Sequence, residues 1–221
     1  MALLEENIVA HFDCFELSEK AIEEGRCEAE KRNLTDRITF HHGDAFKAVL
    51  PSEYFDCIYW DNAMHHMFDA YAAMRWSKDK LAANGCFFMF DFVGPTRFQW
   101  TEEQIRILKQ LLESLDDAYF LTPDREYMWK KEPSLMTEEE MMKADPSEAA
   151  DSDNILPAFK ELFPEGKVIP LGGLIYALGL DGILFNIPEN SILLRKLLRL
   201  DSSLAQQGHN YYAVAYYQND A

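Results

Sequence analysis

The sequence is poor in positive charge and in long apolar runs. Its 221 residues include 21 Lys and Arg against 38 Asp and Glu, which gives a formal net charge of -17 at pH 7. A surface of this charge repels polyanions, so sequence-independent binding to nucleic acid is not expected. No apolar run approaches the roughly 20 residues of a membrane-spanning helix, and the first residues are acidic where a signal peptide is basic. We therefore expect a cytoplasmic protein that does not span a membrane.

Cysteine is also scarce, and glycine is absent from the first 24 residues. The four cysteines lie far apart without a C-x-x-C pair, so neither a disulfide framework nor a structural zinc site is expected. The ten glycines begin only at Gly25, so no glycine-rich turn precedes that position. The composition is 48% hydrophobic, which is sufficient for one sizeable core.

The first 92 residues alternate apolar, β-type runs with helical stretches. The predicted strands cover residues 8–15, 37–42, 55–60 and 86–92. Ser18 is placed to cap a helix, residues 71–81 form another, and Asn84-Gly85 is expected to make a left-handed turn before the last strand. This alternation is typical of an α/β fold with parallel strands joined by crossover helices.

The pattern changes after residue 93. Thr101 begins a capping box ahead of an amphipathic helix, and residues 116–166 hold short helical pieces, several prolines and an acidic run. The excess acid indicates either a solvated face or an acidic entrance for a cationic substrate. Residues 167–170, 174–178 and 211–217 are predicted strands, the last of them antiparallel, and residues 189–207 are a predicted helix. We divide the chain into residues 1–93, an inserted cap over 94–166, and residues 167–221, which complete the sheet.

Polar side chains follow the predicted strands of the first segment. Glu16, Asp44, Asp61 and Asp91 each stand at or just after a strand end. Because parallel strands present their carboxyl ends at one edge, and ligands bind at that edge, we expect these carboxylates to cluster there.

Several motifs then match a family in order and spacing. They are Glu16 at a strand end, Gly43-Asp44-Ala45, the run 55–59 followed by Met64-His65-His66, and Leu81-x-x-Asn-Gly85 before the run 87–91. Together they resemble a class I S-adenosylmethionine-dependent methyltransferase over about residues 3–93. The resemblance implies a Rossmann-like sheet that is mostly parallel, with an antiparallel C-terminal strand and an inserted, mainly helical cap.

The resemblance also implies roles for individual residues. Those expected to bind S-adenosylmethionine are Glu16, Leu17, Asp44, Ala45, Phe46, Trp60, Asp61 and Asn62. His65 and His66 are the expected catalytic residues, and Arg97, Gln99 and Trp100 are the expected substrate contacts. A small-molecule acceptor would receive the methyl group on oxygen, nitrogen or carbon.

One departure from the family is large, because such enzymes begin with a strand and a G-x-G-x-G turn that contacts the cofactor. Nothing before Glu16 can supply that turn. Three explanations are open: the sequence is truncated, the protein is a relative of the family that has lost this motif, or another chain supplies the missing strand. We expect these 221 residues to bind the cofactor weakly or not at all. We also expect the unpaired edge of residues 8–15 to pair with another strand, either residues 55–60 or a second copy of the chain.

Other interpretations remain open. Glu16 is also well placed as a helix-start carboxylate, and His65-His66 could be a packed pair. Asp61, Asn62, His65 and Asp91 fit no strong metal-binding motif, and no metal is expected. The rival functions are a non-catalytic binding or scaffolding protein and, more remotely, a Rossmann dehydrogenase, which needs the same missing glycines.

Overall fold

The computed structural model describes residues 1–218 and divides into two compact units, residues 1–51 and residues 52–221. Residues 219–221 of the predicted C-terminal segment lie outside the described residues. The first unit consists of helix α1 (Ala2–Glu5), strand β1 (Phe12–Glu16), helix α2 (Glu19–Lys31) and strand β2 (Ile38–His42). Strands β1 and β2 pair in parallel, as predicted.

Local chemistry explains the crossover helix of the first unit. The Ser18 hydroxyl accepts a hydrogen bond from the Ala21 amide and so caps the start of α2, as predicted. A Cβ atom on Gly25 would lie 2.7 Å from the ring of Phe40 on β2, so the small residue allows helix and strand to approach closely.

The first predicted strand begins four residues later than expected. The Arg37 guanidinium donates hydrogen bonds to the carbonyls of Val9 and Ala10, at 2.8 and 3.1 Å. These carbonyls are therefore held by a side chain rather than by a neighbouring strand, and pairing begins at Phe12.

The second unit is built on a four-stranded sheet in the order β3-β4-β6-β5. Its strands are β3 (Phe55–Asp61), β4 (Leu81–Phe92), β5 (Lys167–Pro170) and β6 (Tyr212–Gln218). Strands β3 and β4 are parallel, whereas β6 is antiparallel to both β4 and β5. The predicted aromatic strand is therefore in the sheet with the predicted direction.

Helices cover this sheet in two groups. The helices of the second unit are α3 (Ala70–Lys80), α4 (Glu102–Ser114), α5 (Glu138–Ala144), α6 (Ile155–Leu162) and α7 (Ile192–Gln206). Helices α3 and α6 share a core with β4 in which Phe87, Phe159 and Phe163 stack. Helices α4 and α7 enclose a second core. Within residues 1–218, no helix is both long and apolar enough to cross a membrane.

Two sequence predictions in the second unit are wrong. Residues 174–178, predicted as a strand, form a helical turn (Leu174–Gly179), because the buried Asp201 carboxylate accepts the amides of Gly173 and Ile175 and turns the chain there. Asn84 and Gly85 do not adopt a left-handed conformation, since α3 ends at Lys80 and β4 begins directly at Leu81.

Candidate functional site

Two carboxylates lie at the carboxyl edge of the first unit. Glu16 ends β1 and Asp44 follows β2, and the amide of the intervening Gly43 donates to the Glu16 carbonyl at 3.0 Å. The Glu16 carboxylate accepts the Ser18 amide at 2.7 Å, and Asp44 accepts the Phe46 amide at 2.9 Å. The first unit therefore brings Glu16 and Asp44 to the same edge, as expected from the parallel pairing.

Apolar side chains flank these carboxylates. Leu17 and Phe46 are 71% and 40% exposed, although both are large and apolar, and Ala45 lies between Asp44 and Phe46. Exposed apolar side chains beside fixed carboxylates suit a ligand with a flat apolar part and hydroxyl or amino groups.

In the second unit, the residues after β3 have different environments. The Trp60 indole donates to the Ser77 hydroxyl at 3.0 Å and packs into the core against α3. Asp61 and Asn62 are exposed, and the Asn62 amide donates to the Phe90 carbonyl at the end of the β3–β4 pairing. Asn62 has a positive φ of 48°, which turns the chain toward His65.

Asp91 is the anchor of the histidine segment. Its carboxylate is completely buried near the end of β4 and accepts the backbone amides of Ala63, Met64 and His65, at 2.9, 2.7 and 3.3 Å. The same carboxylate lies 2.6 Å from Nδ1 of His65. Four hydrogen bonds to one buried group fix both the backbone and the ring of His65.

The partners of the two histidines determine their tautomers. An ionised Asp91 can only accept, so Nδ1 of His65 donates and Nε2 of the neutral ring carries the lone pair. The Ser147 hydroxyl donates to Asp145 at 2.7 Å, and it therefore accepts from Nδ1 of His66 at 3.1 Å. Both rings thus present an Nε2 lone pair in their neutral forms.

Glu148 faces both of these nitrogens. Its carboxylate lies 3.5 Å from Nε2 of His65 and 4.0 Å from Nε2 of His66. The donor atoms of His65, His66 and Glu148 all lie within 4.8 Å of one another. The result is a compact group of two imidazoles and one carboxylate.

Arg97 holds the loop that carries Glu148. Its side chain is buried, and Nη1 donates to the carbonyls of Pro146 and Glu148, at 2.6 and 3.0 Å. The backbone contributes as well, because the Arg97 amide donates to Ala149 and the Ala150 amide donates to the carbonyl of His65. The Arg97 side chain therefore binds carbonyls of the protein itself, whereas the sequence analysis predicted that it contacts the substrate.

The other two expected substrate contacts have separate environments. Gln99 is exposed, and its side-chain amide donates to the carbonyls of Arg97 and Met136. Trp100 packs edge-on against Phe92 and lines a cavity of about 280 Å³. The other residues lining this cavity are largely apolar: Phe92, Phe98, Ser134, Leu135, Met136, Met141, Ala177, Leu178, Asp181 and Tyr212.

The cavity lies beside the histidine group. The rings of His65 and Phe92 contact each other edge to face, with centroids 6.4 Å apart. Burial raises the pKa of Tyr212, and the negative charges of Asp91 and Glu148 raise it further. Burial alone would lower the pKa of His65, but the hydrogen bond to Asp91 and the charges of Asp91, Glu148 and Asp145 raise it overall.

Sequence reasoning missed Glu148, Ser147 and Asp145. They lie in a loop between α5 and α6, about 80 residues after the histidines, within the acidic segment. No periodicity or local motif connects them to His65. The one available signal was the turn-forming Asp145-Pro146-Ser147 sequence, which marks a loop without indicating what it contacts.

Comparison with known proteins identifies the family. Residues 1–161 match the family model described as a methyltransferase domain. A 27-O-demethylrifamycin SV methyltransferase from Amycolatopsis mediterranei (strain S699) is 28% identical over 93 residues, which are 41% of this chain and 34% of that enzyme. The chain therefore covers about a third of the length of this curated relative.

Solved structures share the fold at much lower identity. Geranyl diphosphate C-methyltransferase from Streptomyces coelicolor A3(2) has a TM-score of 0.56 and 8% identity, with 99% of this chain and 67% of that chain covered. The cyclase SpnF has a TM-score of 0.51 and 12% identity, with 98% and 70% covered. Since the family model matches residues 1–161 of the 221, the chain belongs to the methyltransferase domain family.

Proposed function

We propose that this protein transfers the methyl group of S-adenosylmethionine to a small-molecule acceptor. The observation that carries the proposal is the buried Asp91–His65 pair, whose imidazole ring contacts Phe92 in the wall of an aromatic-lined cavity, in a chain of the methyltransferase domain family. A histidine fixed in this tautomer can accept the proton of an acceptor hydroxyl.

The residues of the first unit fit the nucleoside part of the cofactor. The carboxylates of Glu16 and Asp44 share one edge, and each accepts one backbone amide through one of its oxygens. The second Asp44 oxygen lies 3.3 Å from Nζ of the exposed Lys47, and a carboxylate oxygen has a further lone pair for a ligand amino group. We assign the ribose hydroxyls to Glu16 and the adenine amino group to Asp44, with Leu17, Ala45 and Phe46 beside the ring. Trp60, Asp61 and Asn62 are assigned to the methionine part.

These assignments give the cofactor and the protein residues separate roles in the reaction. When bound, the cofactor supplies a methyl group on a sulfonium, which leaves as a neutral thioether. The protein aligns the acceptor for in-line attack, and such alignment lowers the barrier by removing translational and rotational freedom beforehand. His65 takes the acceptor proton, while His66 orients the acceptor oxygen.

The cavity favours an apolar acceptor. Its walls include Phe92, Phe98, Trp100 and Tyr212, and Asp181 is its one acidic residue. The relatives named above act on 27-O-demethylrifamycin SV and geranyl diphosphate, which agrees with an organic small molecule. Trp100 is therefore proposed to contact the acceptor directly, with Arg97 and Gln99 shaping the loops around it.

Methyl transfer is tested by incubating the protein with S-adenosylmethionine and a panel of apolar hydroxylated acceptors. Formation of S-adenosylhomocysteine that depends on the acceptor supports the proposal. Because a fold does not by itself determine an activity, binding of the cofactor without transfer to any acceptor would favour the non-catalytic binding or scaffolding alternative.

Glu16→Gln is expected to weaken S-adenosylmethionine binding by about tenfold, because a charged acceptor of ribose hydroxyl hydrogen bonds is replaced by a neutral amide. Isothermal titration calorimetry measures this affinity against the unaltered protein. Glu19→Gln is the matched control, since Glu19 is exposed in the first turn of α2 and its loss should leave the affinity unchanged. Equal affinities for both variants would remove Glu16 from the cofactor site.

A further inference from the structure

The group formed by His65, His66 and Glu148 brings three hydrogen-bond acceptors close together. The Nδ1 atom of each histidine is committed to Asp91 or Ser147, so Nε2 of each neutral ring carries a lone pair, and the Glu148 carboxylate lies 3.5 Å from Nε2 of His65 and 4.0 Å from Nε2 of His66. Three electron-pair donors then converge without a hydrogen-bond donor among them. A proton on one imidazole neutralises one lone pair, whereas a divalent cation can bind all three groups.

We propose that His65 Nε2, His66 Nε2 and the Glu148 carboxylate bind a divalent transition-metal ion of the zinc type. Two imidazoles and one carboxylate form a donor set that suits zinc, cobalt or ferrous iron better than magnesium or calcium. Three protein ligands leave at least one coordination position open for a further oxygen ligand.

The distances suit such an ion after small side-chain movements. Donor atoms about 2.1 Å from a tetrahedral ion lie roughly 3.4 Å apart. The separations here are 3.5 Å between His65 and Glu148 and 4.0 Å between His66 and Glu148, and no pair of donor atoms exceeds 4.8 Å. Rotation of the Glu148 side chain, which is half-buried, can shorten its own distances to the two histidines.

The surroundings also match those of metal ligands. Metal-binding histidines usually donate their second ring nitrogen to a carboxylate or another acceptor, which fixes the tautomer and ring orientation. Asp91 serves His65 in this way, and Ser147, itself bound to Asp145, serves His66. Arg97 donates a hydrogen bond to the backbone carbonyl of Glu148 and so fixes its position. Each ligand of the proposed ion is therefore oriented by a hydrogen bond to another part of the protein.

The ion has a use in the proposed reaction. An acceptor hydroxyl bound at the open position would lose its proton to solvent water more readily, because a divalent cation stabilises the resulting oxyanion. In that form of the protein Nε2 of His65 is a ligand of the ion, and His65 is not the base. The binding claim depends only on the geometry of the three ligands, whereas this use of the ion rests on the proposed methyl transfer.

The test is metal binding by the chelator-treated protein. Titration with Zn²⁺, followed by calorimetry, is expected to show one tight site per chain that millimolar Mg²⁺ does not displace. Co²⁺ should give visible absorption bands typical of four- or five-coordinate nitrogen and oxygen ligation. Glu148→Gln and His66→Ala should each weaken binding at least tenfold.

Matched controls separate this site from adventitious binding. Glu161→Gln and His11→Ala alter exposed residues outside the group and should retain the unaltered affinity. Circular dichroism establishes that each variant is folded. Zn²⁺ affinity that is the same in Glu148→Gln, His66→Ala and the controls, or no binding at all, would overturn the inference.

The two proposals fail in different ways. If the metal-free protein binds no Zn²⁺ yet transfers methyl groups, the metal site is wrong and His65 acts as a direct base. If Zn²⁺ binds through Glu148 and His66 but no acceptor is methylated, the metal site stands and the proposed function is wrong.

Discussion

His65→Ala is expected to lower kcat/KM for methyl transfer by about 10² to 10⁴, the range usually lost with a general acid or base. The loss should fall mainly on kcat, because His65 acts on the reacting proton while the cavity walls supply most of the acceptor binding. Steady-state kinetics with an acceptor identified from the panel, monitored by S-adenosylhomocysteine formation, measures both parameters.

The control for this prediction is His11→Ala. His11 is exposed in the first unit and hydrogen-bonded to Thr39, so its loss should leave kcat/KM within about twofold. Calorimetric binding of S-adenosylmethionine should be retained in both variants. A His65→Ala protein that keeps its full kcat would show that the acceptor loses its proton elsewhere.

Asp91 is a positioning residue in this scheme, because it acts on the acceptor only through His65. An asparagine at this position must direct its amide N–H₂ toward one side, although all four present partners are donors. Either the Ala63 and Met64 amides lose their acceptor, or the His65 amide loses its acceptor and the His65 ring changes tautomer, so that Nε2 carries the proton. The sequence predicted that Asp91 lies at a strand end. Its four hydrogen bonds depend on the turn at residues 62–65, which only the structure shows.

The sequence predicted most of the regular elements because their signals are local. Alternating apolar runs identified β2 and β3, and the Ser18 and Thr101 caps correctly marked the starts of α2 and α4. The predicted antiparallel strand at the C-terminus was also found in the sheet. Each of these predictions depended on neighbouring residues along the chain.

Long-range side-chain contacts account for what the sequence did not predict. The prediction of a strand over residues 174–178 is wrong because Asp201, more than 20 residues later, accepts hydrogen bonds from the backbone there. Glu148 reaches the histidines only because Arg97 and the backbone of His65 hold the 146–150 loop in place. The same limit explains why the buried carbonyl partners of Arg97 were not predicted, since an arginine after a strand end gives no local sign of them.

Asp201→Ala is expected to lower the free energy of unfolding of the second unit by about 3 to 5 kcal/mol, since two buried amides would lose a charged acceptor. The carboxylate is nearly inaccessible and accepts the amides of Gly173 and Ile175, at 2.9 and 2.7 Å. It also fixes the turn at Gly172 and Gly173, whose positive φ angles of 77° and 109° only glycine adopts easily.

Urea unfolding monitored by tryptophan fluorescence measures this loss, because all four tryptophans lie in residues 52–221. Asp201→Asn should cost roughly half as much, since the amide keeps one acceptor oxygen for the two backbone donors. The control, Ser203→Ala, alters an exposed residue on the same helix and should change stability by less than about 0.5 kcal/mol. Similar midpoints for Asp201→Ala and Ser203→Ala would mean that the turn at 172–175 is held by the packing of Leu174 and Ile175 in the core, and that the Asp201 hydrogen bonds contribute little.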